Sequence, residues 1–209
     1  VEQGAFVRDG QIVMRLNGEE KNICAAEDVK IPGPHNLENA LAATAVAYSR
    51  GVPAPVIRHA LRTFAGVEHR IEFVRELEGV RYINDSKGTN VDSTIKAVQS
   101  MRLPTAIILG GYDKHVSFTA LAEEIQRTPL IRACVLIGAT ADQIEAALRQ
   151  AGYAAVFRAD TLEQAVKDCR RLMAEGGNVL FSPACASFDM FEDYEQRGRI
   201  FKQIVNDLQ

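Results

Sequence analysis

The spacing of apolar and polar residues changes character twice along this chain. Ala5-Phe6-Val7-Arg8 and Gln11-Ile12-Val13-Met14 flank Asp9-Gly10, and Asn17-Gly18 repeats the device before Lys21 to Cys24. Two-residue Asp-Gly and Asn-Gly links between alternating runs predict an antiparallel meander with type I′ turns. Ile31-Pro32-Gly33-Pro34 stops that pattern. His35 or Asn36 then caps a helix whose apolar residues Leu37, Leu41, Ala45 and Tyr48 recur at helical spacing, with Asn36 and Asn39 on one face of its first turn. Gly51 ends this helix. Pro53 and Pro55 introduce a second, to about Phe64, with the stripe Val56, Ile57, Ala60 and Leu61, and Ala65 to Glu68 reads as a hinge. A meander must bury one face, and little in the next residues offers a complete partner surface. Together with a start at Val1 rather than Met, this leads to the expectation of a fragment with further sequence upstream.

From His69 onward, strand and helix alternate. Strands are expected at Ile71–Leu77, Val80–Asn84, Thr105–Leu109, Ala133–Ile137, Ala155–Phe157 and Asn178–Phe181. Helices are expected at Val91–Met101, Phe118–Arg127, Ala141–Ala151, Leu162–Ala174 and Phe188–Asp207. The continuously apolar runs Ala106 to Leu109 and Cys134 to Ile137 suit strands covered on both faces. The fold class is therefore α/β, a doubly wound and mostly parallel sheet over residues 68–209, preceded by the meander and helices of residues 1–67.

In such a sheet the carboxyl ends of the strands lie on one edge, where ligands bind. Four of the expected ends carry polar or glycine-rich turns: Asp85–Asn90, Gly110-Gly111-Tyr112-Asp113-Lys114, Gly138-Ala139-Thr140 and Ser182–Ser187. The first is the richest. It places a carboxylate, a hydroxyl, an ammonium and a glycine between a strand and a helix, with Asn90 as N-cap. The same residue types also build ligand-free turns. Gly88-Thr89-Asn90 is no P-loop, since no Gly-Lys-Ser/Thr follows at the required spacing. Ser182–Ser187 is expected to open the last helix and offer its N–H groups to an anion. Arg70 suits a bidentate phosphate clamp or an ion pair with Glu68 or Glu72. Lys114 reads as a ligand cation or a solvated surface residue, and His69 as a hinge residue or an acid–base group.

Composition narrows the class. With 47% apolar and 24% charged residues the 209-residue chain can bury a core. A net charge of -3 without a basic run gives no footprint for nucleic acid, and no apolar run reaches membrane-spanning length, so no membrane insertion is expected. Cys24, Cys134, Cys169 and Cys185 lack metal-ligand spacing and read as packed, reduced thiols of a cytoplasmic protein. No metal ligands are assigned within the chain.

Five stretches together resemble the ATP-dependent Mur ligases of bacterial cell-wall synthesis, within them the branch that adds D-glutamate. They are Gly33-Pro34-His35-Asn36-Leu37-Glu38-Asn39, Glu68-His69-Arg70-Ile71-Glu72, Asn84-Asp85-Ser86-Lys87-Gly88-Thr89-Asn90, Leu109-Gly110-Gly111 with Lys114, and Ser182-Pro183-Ala184-Cys185-Ala186-Ser187-Phe188-Asp189. The resemblance implies the end of a central ATPase domain (1–67) followed by a Rossmann-like C-terminal domain (68–209). It also implies an N-terminal domain, the P-loop and the magnesium ligands upstream. The reaction it implies joins D-glutamate to UDP-MurNAc-L-alanine through an acyl phosphate, using ATP and Mg2+, with the fragment inactive alone. Carried over by residue, Asn36 and Asn39 lie near adenine, Arg70 contacts phosphate and Asp85 the ribose. Lys87, Thr89, Lys114, Ser187, Phe188 and Tyr194 surround D-glutamate, and Lys87 and His69 are the candidates for a catalytic role. Two rival readings remain at this point: a stand-alone nucleotide-binding or regulatory module, and another amide ligase of the superfamily, such as a folate polyglutamylating enzyme.

Overall fold

The structure, a computed structural model, describes residues 2–31 and 33–209. Val1 and the Pro32 of the expected strand stop lie outside the described residues. The chain divides into two compact units, Val1–Gly66 and Val67–Gln209.

In the first unit, strands β1 (Gly4–Arg8), β2 (Gln11–Leu16) and β3 (Glu19–Ala25) form the antiparallel meander in sequence order. Arg8 pairs with Gln11 and Leu16 with Glu19, leaving Asp9-Gly10 and Asn17-Gly18 as two-residue links. All four link residues have positive φ, as a type I′ turn requires. Helices α1 (Pro34–Ser49) and α2 (Ala54–Thr63) follow. Neither His35 nor Asn36 caps α1, contrary to expectation. The helix starts at Pro34 itself, after Gly33, because proline at the first position needs no donor partner and already holds a helical φ. The meander does find its partner surface in the residues that follow. Ile12, Met14, Ile23 and Cys24 are buried with Ala54 and Ile57, and Leu37, Leu41 and Ala45 pack on the same cluster. The stripes of α1 and α2 were visible in the sequence, but not what they would cover.

The second unit is a six-stranded sheet. Its strands are β4 (Glu72–Leu77), β5 (Val80–Asn84), β6 (Thr105–Leu109), β7 (Ile131–Leu136), β8 (Val156–Arg158) and β9 (Gly177–Phe181), in the order β4-β5-β9-β6-β7-β8. Only β4 is antiparallel, joined to β5 by Glu78-Gly79; the other neighbours run parallel. Helices α3 (Val91–Ser100), α4 (Thr119–Arg127) and α5 (Ala141–Gln150) cover one face through Val98, Leu121, Ile125, Ile144 and Leu148. Helices α6 (Leu162–Leu172) and α7 (Tyr194–Asp207) cover the other through Val166, Cys169, Phe201 and Val205. Strand β9 is last in sequence yet lies between β5 and β6, so the ends of these three strands adjoin at the point where the winding reverses.

The last helix is shorter than its expected span from Phe188. It begins at Tyr194, because Asp193 makes the stronger cap: its Oδ1 accepts the Gln196 N–H at 2.6 Å, while Gln196 Oε1 accepts the Glu192 N–H at 2.8 Å. Ser182–Ser187 therefore does not open a helix, and the expected helix N-terminus at that turn is absent. It forms an irregular crossing held by its neighbours.

Candidate functional site

The four turns expected at the sheet edge do converge. Gly110 donates its N–H to Pro183 O at 2.8 Å, Tyr112 to Ala186 O at 2.9 Å and Thr140 to Gly111 O at 3.1 Å. The Thr140 hydroxyl accepts the Gly111 N–H at 3.1 Å, and Asp189 Oδ2 accepts the Ala139 N–H at 3.0 Å. Gly110 and Gly111 are required here. Both hold positive φ, and a Cβ at either would run into the backbone of the facing turn, Ile137 O or Ala186 O.

The turn after β5 has a buried half and an open half. In the buried half, the Asn84 amide nitrogen lies 2.9 Å from His69 Nδ1 and donates to Glu72 Oε2 at 3.0 Å, while its oxygen accepts the Ser86 N–H at 3.1 Å. Those last two bonds fix the amide orientation, so His69 Nδ1 is the acceptor and the ring proton sits on Nε2. Asp85 is 3% exposed. Its Oδ1 accepts the Ile71 N–H at 3.1 Å and its Oδ2 the Ser182 hydroxyl at 2.6 Å. Burial pushes this carboxyl up to about 7, against the Ser182 and Ile71 hydrogen bonds and the Arg70 and Arg197 charges that pull it down. Gly88 closes over it: a Cβ there would stand 2.6 Å from Asp85 Oδ2 and 2.8 Å from Ser182 Oγ.

Arg197, on α7, is 1% exposed and was missed by the sequence reading. Its Nε donates to Ser86 Oγ at 3.0 Å and Nη2 to Ser86 O at 2.8 Å. Nη2 also reaches Cys185 O at 3.1 Å, and Nη1 reaches Ala186 O at 3.1 Å. The Ser86 hydroxyl in turn donates to Tyr194 O at 2.8 Å. A signal was available. Arg197, Phe201 and Val205 recur four apart on the buried stripe of α7, where a cation needs a reason to be. Thr140, Ser182 and Asp189 lie within or beside these turns without a local mark of function, and all three brace them.

In the open half the expected amino-acid ligands retain spare donors. Lys87 is half-buried, with Nζ 5.6 Å over the Tyr194 ring centroid, and its N–H is anchored on His69 O at 3.0 Å. Lys114 is exposed and reaches Thr89 O at 3.4 Å. Among the described residues neither ammonium has a carboxylate within salt-bridge distance. Ser187 is buried, whereas Phe188 is 66% exposed, its ring 6.1 Å from Tyr112 in an edge-to-face contact. Thr89, Asn90, Tyr112, Lys114, Ala184 and Cys185 line one cavity of about 330 Å³. Asn90 caps α3 as expected, accepting the Ser93 N–H at 2.9 Å.

Arg70 is exposed and forms no ion pair with Glu68 or Glu72 among the described residues; those carboxylates are met by Lys202, whose Nζ donates to Glu68 Oε1 at 2.9 Å and Glu72 Oε1 at 2.7 Å. Glu68, His69 and Glu72 are also the one group among the described residues with metal-ligand geometry, their ligand atoms within 4.8 Å of one another. The group does not fit magnesium. An ammonium already holds the cation position, His69 Nδ1 is engaged, and magnesium asks for an octahedral shell of oxygens. Asn36 and Asn39 belong to the other unit, on the first turn of α1, where Asn39 Nδ2 donates to Asn36 Oδ1 at 3.4 Å.

Comparison with known proteins adds to this geometry. The family described as Mur ligase, glutamate ligase domain, matches residues 69–185. A UDP-N-acetylmuramoylalanine–D-glutamate ligase of Thermoanaerobacter sp. (strain X514) is 48% identical over 210 residues, covering 100% of this chain and 46% of the relative. The chain thus spans about half the length of the curated relatives it matches. In fold it is similar to UDP-N-acetylmuramate-alanine ligase from Thermotoga maritima, with a TM-score of 0.63 at 19% identity over 94% of this chain and 43% of that one. It is also similar in fold to folylpolyglutamate synthase from the same organism, with a TM-score of 0.52 at 18% identity over 83% of this chain and 41% of that one.

Proposed function

The chain belongs to the Mur ligase family, and on that footing we propose that it is the nucleotide- and D-glutamate-binding part of an ATP-dependent ligase joining D-glutamate to UDP-N-acetylmuramoyl-L-alanine in peptidoglycan precursor synthesis. The observation that carries the reading is that Lys87, Thr89, Lys114 and Ser187 lie on the turns where β5, β9 and β6 end, with neither ammonium paired to a carboxylate among the described residues and Lys114 engaged only by Thr89 O. A dicarboxylate amino acid must shed water from two anionic groups, and it does so only where cations and hydroxyls replace that water.

In the reaction, a carboxylate oxygen of the UDP substrate bonds to the γ-phosphorus as ADP leaves. The D-glutamate amine then bonds to the acyl carbon, phosphate departs with the C–O electron pair, and the amine gives up a proton. Negative charge grows at the phosphoryl group and the tetrahedral carbon, and Lys87 is the cation assigned to oppose it. Arg70, exposed and without an ion-pair partner among the described residues, is assigned to nucleotide phosphate, and Asn36 and Asn39 to adenine. Asp85, which the resemblance places at the ribose, is 3% exposed with both carboxylate oxygens bonded, and is assigned instead to bracing the turn. His69 acts in this proposal through its backbone, whose carbonyl holds the Lys87 N–H; its ring is buried, with Nδ1 engaged by the Asn84 amide. Magnesium, which supplies charge neutralisation at the phosphates, is assigned no ligand among these residues. A cytoplasmic setting belongs to the proposal. It is supported by four buried, unpaired cysteines and by the lack of any helix, among the described residues, long and apolar enough to cross a membrane.

The test is phosphate release by the whole ligase in the presence of ATP, magnesium, UDP-MurNAc-L-alanine and D-glutamate. Release that requires D-glutamate, is not supported by the L-isomer and is not supported by a folate acceptor is the expected result. The 209-residue chain alone, which contains no P-loop sequence, is expected to release none. Glutamate transfer to a folate by the whole enzyme would favour the polyglutamylating reading instead.

A further inference from the structure

Arg197 is an unusual cation. It is almost wholly buried, and among the described residues no carboxylate lies within salt-bridge distance; every hydrogen bond it makes goes to a neutral acceptor. Burying a guanidinium without a paired carboxylate is costly, and burial lowers its ordinary value to about 10 against the more distant charges of Cys185, Asp189 and Asp85, leaving it charged at neutral pH. Such a group persists only where its donors hold something that apolar packing could not. Here the acceptors come from two turns remote in sequence. Ser86 immediately precedes Lys87, and Ala186 immediately precedes Ser187. The fork therefore joins, through backbone carbonyls, the two chain segments that carry the assigned amino-acid ligands.

The contacts around it point the same way. Gly111 faces this guanidinium, and a Cβ there would stand 3.3 Å from Nη1. The Ser86 hydroxyl accepts from Nε and passes its own proton to Tyr194 O, whose ring lies under the Lys87 ammonium. Four donors of one planar group thus set the spacing between a cationic side chain and a hydroxyl that are meant to grip one ligand. We infer that Arg197 is a positioning residue for the dicarboxylate amino-acid subsite: it fixes the Lys87 turn and the Ser187 turn relative to each other, and with them the affinity for that substrate. The inference rests on the proposed ligase reading. It assigns Arg197 no contact with substrate. Lysine cannot substitute, since a single ammonium on a flexible stem does not span four acceptors in one plane.

The experiment uses the whole ligase and its Arg197→Lys and Ser86→Ala variants. KM is measured separately for D-glutamate and for the UDP substrate, and Tm by thermal unfolding. Arg197→Lys is expected to raise the D-glutamate KM on the order of tenfold, the size of one lost charge-assisted bond, while the UDP-substrate KM stays within about twofold. Ser86→Ala, which removes one acceptor and leaves the backbone carbonyls, is expected to shift the same constant less and in the same direction. An unchanged D-glutamate KM in a folded Arg197→Lys enzyme overturns the assignment. So does a parallel rise in both constants that tracks a loss of Tm, which is what a merely structural residue produces. Should Arg197→Lys fail to fold, Ser86→Ala decides alone, a wild-type D-glutamate KM there counting against the proposal. Absence of D-glutamate-dependent turnover in the wild-type ligase overturns the ligase reading itself, and this assignment with it.

Discussion

Asn84, Asp85 and Ser86 turn their polar atoms inward to His69, Glu72, Ile71, Ser182, Tyr194 and Arg197, whereas Lys87 and Thr89, one to five residues further along the same turn, keep side-chain donors uncommitted. The two halves have the same kind of composition. They differ in burial and in how many of their hydrogen bonds are already made. A buried polar group left unpaired costs far more than a surface one, so the inner half can only be framework, while the outer half remains free to bind. The difference separates residues whose loss should unfold the turn from residues whose loss should merely empty it.

The sharpest way to break that distinction is Asp85→Ala. It leaves the part-buried Ile71 N–H without its acceptor and takes one of two partners from the Ser182 hydroxyl, which keeps Thr94 Oγ1 at 2.9 Å. At about 1–3 kcal/mol for an unsatisfied group, urea denaturation should show a midpoint shift worth about 1–3 kcal/mol. A midpoint unchanged from wild type would place Asp85 in the binding half after all.

The same carboxyl gives a pH test of its burial. Its folded value of about 7 lies above the unfolded value near 4, so the folded state binds the extra proton between those limits. The stability this contributes is present in full below about pH 4 and is lost as pH rises through about 7, on the order of 2 kcal/mol between pH 5 and pH 8. Carboxylates held low by arginine, such as Glu20 and Glu145, lose their contribution on the acid side and do not titrate in this window. Asp85→Asn should flatten the slope between pH 5 and pH 8 relative to wild type. Equal slopes in the two proteins would show that Asp85 is ionised throughout.

Lys87→Ala should do the opposite of Asp85→Ala. With a half-buried side chain whose described contact is the Tyr194 ring, its removal should move Tm little. In the whole ligase it should raise the D-glutamate KM by about tenfold or more, and the UDP-substrate KM far less. Loss of Tm without a change in D-glutamate saturation would exchange the roles of the two halves.

How much of this was legible depends on whether a residue's signal is local. The type I′ turns, the alternation from His69 onward, the apolar central strands and the Asn90 cap are each written within a few residues, and each appears in the structure where expected. The convergence of four turns followed from strand direction alone. What the sequence did not disclose is long-range pairing. Ser86 with Arg197, Asp85 with Ser182, and Thr140 with Gly111 join residues 29 to 111 positions apart, and nothing local marks one as the other's partner. The late start of α7 was a contest between two local signals. Ser187 and Asp193 can both cap, and the Gln196 side chain decides it by bonding back to Glu192. The outward half of the β5 turn was found because binding residues advertise themselves by type. The inward half looked the same and was separable only by burial.

Phe188→Ala is the mildest of these tests and bears on the boundary between the halves. The ring is two-thirds exposed, and its described aromatic contact is the edge-to-face meeting with Tyr112 at 6.1 Å, itself on an exposed residue. Truncation therefore removes little buried area, and Tm should change by an amount equivalent to less than about 0.5 kcal/mol. If the segment at Ser187 and Phe188 serves D-glutamate through backbone N–H groups and the Ser187 hydroxyl, those donors survive the loss of the ring. The D-glutamate KM should then rise by less than about threefold, well short of the Lys87→Ala effect. No helix begins at this segment, so the donors must act as individual dipoles without a macrodipole behind them, which makes the charge of Lys87 the larger contribution. Saturation by D-glutamate that survives Lys87→Ala but is abolished by Phe188→Ala would mean that the aromatic surface, rather than the ammonium, forms the pocket, and the outer half would have to be redrawn around Tyr112 and Phe188.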